Sequence, residues 1–313
     1  MTPAPLAFTP LFKERVWGGR ALEEAFGKPL PPDARIGEAW EIVDRPEAQS
    51  VVASGPLAGT ELRQLWREDR ERLFGARATR AGDRFPLLAK LLDARETLSV
   101  QVHPPAGVAG ELGGEPKNEL WYIAGVAPGA HLLAGLRKGI DRERFSAALS
   151  HGEDVSAMLH RIDVEVGDAL FVPSGRVHAI GAGCLIVELQ QNSDTTYRVY
   201  DFDRPGLDGK LRELHVPQSL ASIDFSDVEP ALRPRGDGVV MANELLTVTR
   251  RTLGAAPEQV TAAGECALVC VLAGDAHCGA ETFSPAAFFL VPADADGVLP
   301  VAGPAGLLVI ELP

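Results

Sequence analysis

The chain is poor in residues that staple a fold, span a bilayer or bind polyanions. Its four cysteines, Cys184, Cys266, Cys270 and Cys278, are too few and too scattered over 313 residues for a disulfide framework. Cys266 and Cys270 lie an even number apart in an apolar, strand-like run, so they share a face and read as small buried hydrophobes. No stretch approaches the ~18 uninterrupted apolar residues of a membrane-spanning helix. The opening residues carry Lys13, Glu14 and Arg15 and no long apolar core, which excludes a signal peptide and makes the cytoplasm the expected location. Positive charge is also short: 30 Lys and Arg against 43 Asp and Glu leave a formal net charge of −13. That balance argues against nucleic acid or an anionic membrane as partner, although a few basic groups in one cleft still suffice for a small anionic substrate. No Walker or Rossmann glycine pattern is present, so nucleotide binding is unsupported.

Glycine and proline, by contrast, are abundant (32 and 24) and punctuate the chain at short intervals. Between them lie strand-like runs at 98–103, 119–124, 169–172, 184–190, 195–202, 267–272 and 288–291. Short strands with frequent turn signals predict an all-β sandwich or barrel. Helical periodicity is confined to 61–73, where Leu62, Leu65, Trp66 and Leu73 suit one buried stripe, and to a small helical insertion near 138–161. His151 and His160 in that insertion are nine apart and read as surface or capping residues. Trp17-Gly18-Gly19 reads as a turn that lets backbone approach closely. The segment 169–175 is echoed at 288–294, each a strand ending in proline; His178 follows the first and Gly297 the second. With two prolines and several charges in 230–237, this predicts two related β modules. Residues 1–234 form the metal-binding one, and 235–313 form a degenerate, structural one.

The chemistry concentrates in the first module. In Leu98-Ser99-Val100-Gln101-Val102-His103 polar and apolar residues alternate, so a strand points Ser99, Gln101 and His103 to one face. Glu119 and His178 lie in other strand-like segments. Together Gln101, His103, Glu119 and His178 offer an amide oxygen, two imidazoles and a carboxylate, a ligand set for one divalent metal with a position open for substrate. Zinc fits two histidines and a glutamate best, while Fe²⁺, Mn²⁺ and Co²⁺ are chemically admissible.

The run from Gly167 to His178 (Gly-Asp, an apolar strand, Pro-x-Gly, then His) resembles the second signature of the cupin superfamily, small β-barrels that hold a metal inside. The family's asparagine four residues later is Ala182 here, and the first signature is altered: Gln101 stands for its first histidine, and the glutamate is displaced to Glu119. The altered set resembles type I phosphomannose isomerases. The motifs are Gln-x-His-Pro at 101–104, Lys-x-Glu-x-Trp-Tyr at 117–122, Pro-x-Gly-x-x-His-Ala at 173–179 and Gln-Asn-Ser-Asp-Thr-Thr-Tyr-Arg-Val-Tyr-Asp at 191–201. Val16–Gly19, Gly37–Glu41 and Pro86–Ala94 join them, over residues 12 to 204. The resemblance implies a double cupin-type jelly-roll fold and zinc-dependent interconversion of mannose 6-phosphate and fructose 6-phosphate. It also implies that Gln101, His103, Glu119 and His178 are metal ligands and Arg198 a catalytic residue.

Several further residues suit that chemistry. Thr196, Arg198 and Tyr200 share a strand face, from which Arg198 could hold an enediolate or a phosphate through its planar fork; the alternative is a solvated surface charge. Lys117, two residues before Glu119, is a catalytic candidate if it faces the pocket rather than solvent. Lys90 interrupts the apolar run 87–92, and a buried lysine needs an anionic partner, either a structural carboxylate such as Glu38 or the substrate. Ser99 is a candidate for the phosphate. The general base stays open between a metal-bound water, Lys117 and a nearby carboxylate. Two other functions use the same ligands: an iron-dependent cupin oxygenase, and a sugar-phosphate-binding module without turnover.

Overall fold

The computed structural model describes residues 4–295 and 299–312 and consists mainly of β-strands, as the turn spacing predicts. The chain divides into two compact units. One comprises Phe12–Ala39 and Leu91–Arg233; the other comprises Met1–Leu11, Trp40–Lys90 and Pro234–Pro313. No helix among the described residues is long and apolar enough to cross a membrane.

The first unit is a two-sheet sandwich. Its five-stranded sheet runs in the order Leu159–Asp163, His131–Leu136, His178–Ile180, Val100–Val102 and Tyr197–Tyr200. In the other sheet, Ala169–Val172, Glu119–Val126 and Cys184–Gln191 are antiparallel neighbours. Leu132 and Ile180 from the first sheet, and Leu98 just ahead of its Val100–Val102 strand, meet Trp121, Ile123, Leu170 and Ile186 from the second in one buried cluster. Each fully buried side chain of this kind contributes about 1.5–3 kcal/mol. The opposite face of the five-stranded sheet is covered too: Val100, Val102, Leu133 and Ala179 pack with Phe145 of helix Arg142–Ser150. Because Val100 and Val102 face this helix, alternation turns Gln101 toward the space between the sheets.

In the second unit a six-stranded sheet begins with Leu6–Ala7 and continues through Phe288–Val291, Ala267–Gly274, Ala305–Glu311, Thr247–Leu253 and Gly238–Ala242. It packs against a three-stranded sheet, with Phe283 stacked on Phe289 at a centroid distance of 4.0 Å. All four cysteines are buried and none forms a disulfide, and burial pushes the Cys266 thiol up to about 12. Trp66, Phe74 and Phe85 form an aromatic cluster within the 40–90 stretch.

Three local expectations are corrected. Trp17-Gly18-Gly19 is the end of strand Leu11–Gly19 rather than a turn. Its glycine serves close approach all the same, since a Cβ on Gly18 would lie 2.4 Å from the Gly37 nitrogen. The insertion at 138–161 holds helix Arg142–Ser150 and the short 3₁₀ turn Val155–Met158, but its last residues, His160 included, belong to strand Leu159–Asp163. The helical patch at 61–73 becomes two helices, Leu62–Glu68 and Arg70–Ala78, the second broken at Gly75 with φ 85°. Strands Ala169–Val172 and Phe288–Val291 are both present; Gly297, the expected counterpart of His178, lies outside the described residues.

Phe289→Ala, which opens a cavity beneath Phe283, should cost about 3–5 kcal/mol in urea unfolding; a loss below ~1 kcal/mol would show that the second unit has no such core.

Candidate metal centre

Antiparallel register assembles the site. Gln101 is the cross-strand partner of His178 on one side and of Arg198 on the other. Directly paired residues project to the same face, so these three form a row across the five-stranded sheet. His103 follows just past the end of that strand, with its ring 4.9 Å from that of His178. Glu119 comes from the opposing sheet. One ligand atom from each of His103, Glu119 and His178 lies within 4.8 Å of the others, and no second cluster of three such residues occurs among the described residues. All three are buried, His178 completely.

Hydrogen bonds determine which ring atoms are available. His103 Nδ1 lies 2.8 Å from the Thr195 carbonyl oxygen, and His178 Nδ1 lies 2.8 Å from that of Arg176. A carbonyl only accepts, so each Nδ1 carries the proton and each Nε2 presents a lone pair to the centre. Lys117 Nζ, itself buried, sits 2.7 Å from Glu119 Oε1. Glu119 Oε2 and His103 Nε2 are buried with no hydrogen-bond partner. Two neutral imidazoles, a carboxylate and two orphaned buried donor atoms aimed at one point fit a divalent metal, because coordination would satisfy what hydrogen bonding leaves unmet. The Gln101 side-chain nitrogen is 3.3 Å from His178 Nε2. A half-turn of that amide exchanges nitrogen for oxygen and offers the fourth donor expected from the sequence.

The protonation states agree with that fit. Burial drives His178 down to about 3, with the charge of His103 adding to the effect. Burial and the Lys117 ammonium lower His103 in the same sense. Burial works to raise the Glu119 carboxyl, against which the Lys117 ammonium, and either ring if protonated, holds the group well below the usual carboxylate range.

The remaining candidates are distributed around this centre. Arg198 is half-buried; its Nη1 donates to the Glu213 carbonyl at 2.8 Å, and its Nε is buried without a partner. Asp201 accepts from both Arg204 and Arg212. Ser99 is buried just ahead of strand Val100–Val102, where the expected alternation does not hold: Leu98 packs between the sheets while Val100 packs on the helix side. Lys90 belongs to the other unit, where its ammonium lies 5.2 Å from the Trp40 ring centroid. Sequence reasoning missed the two carbonyls that orient the histidines, which no side-chain pattern reveals. It also missed the Trp121 indole set edge-on 5.2 Å from the His178 ring and anchored by Glu188 Oε1 at 3.1 Å. The alternation of Trp121 with Glu119 was the available signal.

Fold and site together define a cupin-like β protein with a buried His–Glu–His cluster suited to a metal ion. The model of the family "phosphomannose isomerase type I, catalytic domain" matches residues 6–126. Mannose-6-phosphate isomerase ManA of Bacillus subtilis is 46% identical over 233 residues, 73% of this chain and 70% of that protein. The crystal structure of the mannose 6-phosphate isomerase from Bacillus subtilis superposes with a TM-score of 0.86 at 33% identity, covering 99% of this chain and 100% of that one. A mannose 6-phosphate isomerase bound with zinc and yttrium shares the fold, with a TM-score of 0.75 at 17% identity over 98% and 99% of the two chains. The chain belongs to the type I phosphomannose isomerase family.

Metal-free protein should weaken in acid. An unfolded histidine takes up its proton near 6.5, whereas folded His178 stays neutral down to about 3. Between those values the unfolded chain binds the extra proton, so stability falls with pH at about 1.4 kcal/mol per unit per ring. Urea midpoints of chelator-stripped protein between pH 7 and 5 should show this slope, reduced by one ring's share in His178→Ala. An equal slope in both proteins would contradict it.

Proposed function

We propose that this chain interconverts mannose 6-phosphate and fructose 6-phosphate, using one zinc ion held by Gln101, His103, Glu119 and His178. The observation that carries the reading is the buried His103–Glu119–His178 cluster with two donor atoms left without partners, in a chain belonging to this family. The choice of zinc rests on the two-histidine, one-carboxylate donor set, supported by the relative bound with zinc and yttrium.

Aldose–ketose isomerisation moves a proton between adjacent carbons and passes through an enediol, with negative charge developing on the two oxygens. The metal, when bound, supplies Lewis-acid polarisation of the sugar's carbonyl and hydroxyl oxygens. Lys117 is the candidate for carrying the proton. Its ammonium lies 2.7 Å from Glu119 Oε1, next to the metal-ligating cluster. Arg198, in the row with Gln101 and His178, presents an unpaired Nε and a permanent charge to the developing oxyanion or to the phosphate. Ser99 is assigned to holding the phosphate, whereas Lys90, the other residue expected to do so, lies in the second unit beside Trp40. The dry interior around Trp121 and His178 strengthens each of these interactions by excluding water.

On this reading residues 1–234 contain the catalytic machinery and 235–313 a degenerate module. The protein works in the cytoplasm on a small sugar phosphate rather than on nucleic acid or membrane, which the net charge of −13 supports.

Chelator-stripped protein should form no fructose 6-phosphate from mannose 6-phosphate and should recover on adding zinc. Folded, zinc-loaded protein without turnover would overturn the isomerase reading in favour of a binding module or oxygenase. Arg198→Ala should keep stoichiometric zinc and lose at least ~100-fold in kcat, as removal of one preorganised charge-stabilising group does; near-normal turnover would remove Arg198 from the mechanism.

A further inference from the structure

Resting on that reading of the metal centre, we propose that the Arg176–Asp227 ion pair is a positioning device for the metal site, aiming His178 through the Arg176 backbone. On the side away from the metal centre, His178 Nδ1 donates to the Arg176 carbonyl oxygen at 2.8 Å, which sets the direction of the ring. The direction of that oxygen depends on how the backbone at residue 176 is held. Arg176 Nε and Nη2 each donate to a separate oxygen of Asp227 at 2.7 Å, a two-pronged fork, and Nη1 donates to the Phe171 carbonyl. The two side chains are only 12% and 18% exposed, so the pair is shielded from solvent more than a surface salt bridge. Asp227 is tied in its turn to the five-stranded sheet, its carbonyl accepting from the Leu136 N–H at 2.9 Å.

The turn that Arg176 closes also touches the rest of the centre. The Gly175 N–H donates to the His103 carbonyl at 2.8 Å, and Ser174 Oγ accepts from the Lys117 N–H at 3.1 Å. Residues 174–176 therefore join the segments of His103, Lys117 and His178, and the Arg176–Asp227 fork fixes this turn against a distant loop. Such a fork needs two parallel donors, which a lysine lacks.

The test measures binding and geometry of cobalt(II) in the full-length protein after chelator stripping, alongside turnover. Asp227→Asn should weaken cobalt binding about tenfold, as loss of groups that orient metal ligands does. It should also shift the visible absorption of the bound cobalt and lower kcat more than it changes KM for mannose 6-phosphate. Arg176→Lys, which keeps the charge and loses the fork, should move all three in the same direction and carries the test if Asp227→Asn does not fold. Glu258→Gln, which breaks the exposed pair with Arg251 elsewhere in the chain, should leave cobalt affinity and spectrum unchanged. Wild-type cobalt affinity and spectrum in the Asp227 or Arg176 variant, whatever its melting temperature, overturns the proposal. Wild-type protein that binds cobalt but turns over no sugar phosphate overturns the isomerase reading alone, and the spectra still decide this one.

Discussion

Burying the carboxylate of Glu119 is the constraint around which the rest of the site is organised. The residue is 1% exposed, and an ionised carboxylate taken out of water costs several kcal/mol unless charge and hydrogen bonds replace the lost hydration. Lys117 supplies the charge at 2.7 Å on one oxygen, and His103 Nε2 lies 3.2 Å from that same oxygen. The second oxygen has no hydrogen bond. A polar group of this kind is tolerated where something else is meant to bind, and a dication is the partner that would match it best. The lysine and the imidazoles follow from the same requirement: the ammonium offsets the carboxylate, and the rings remain neutral because a proton on either would be stranded in an apolar interior.

The scaffold meets this constraint by dividing labour between two sheets. The five-stranded sheet contributes Gln101, His178 and Arg198, with His103 just past its Val100–Val102 strand, and the opposing sheet contributes Glu119, with Lys117 just ahead of its strand. Trp121, Leu132, Ile180 and their neighbours keep water from the space between. Rings that must present a lone pair need their other nitrogen occupied, and two backbone carbonyls do this. The turn at 174–176 connects one of those carbonyls with the backbone of His103 and Lys117, so the ligand segments are braced together rather than held singly.

Much of this was readable in order of sequence. The alternation around Gln101 assigned its face correctly, because a strand leaves side chains only two directions. Strands at 169–172 and 288–291 were legible from apolar runs closed by proline. Helices were harder to bound: Gly75 breaks one in two where the apolar stripe continues, and His160 falls in a strand because pairing of its neighbours Leu159 and Arg161 with Leu136 and Leu133 outweighs the periodicity that precedes it. Trp17-Gly18-Gly19 looked like a turn because glycine pairs usually make one; here the missing side chains admit the backbone of the next strand instead.

By itself the sequence determined the family and the all-β class and singled out His103, Glu119 and His178, since each depends on residue type and short-range spacing. It also determined which face of the 100–102 strand carries the donors. Only the tertiary structure decided that Glu119 and Lys117 approach His103 and His178 from the opposing sheet, and which nitrogen of each ring is free. Only it showed that Arg176 grips Asp227 fifty-one residues away. The reason is physical: side-chain direction follows from local backbone geometry, whereas cross-sheet distances and carbonyl acceptors arise from long-range packing that no local pattern encodes.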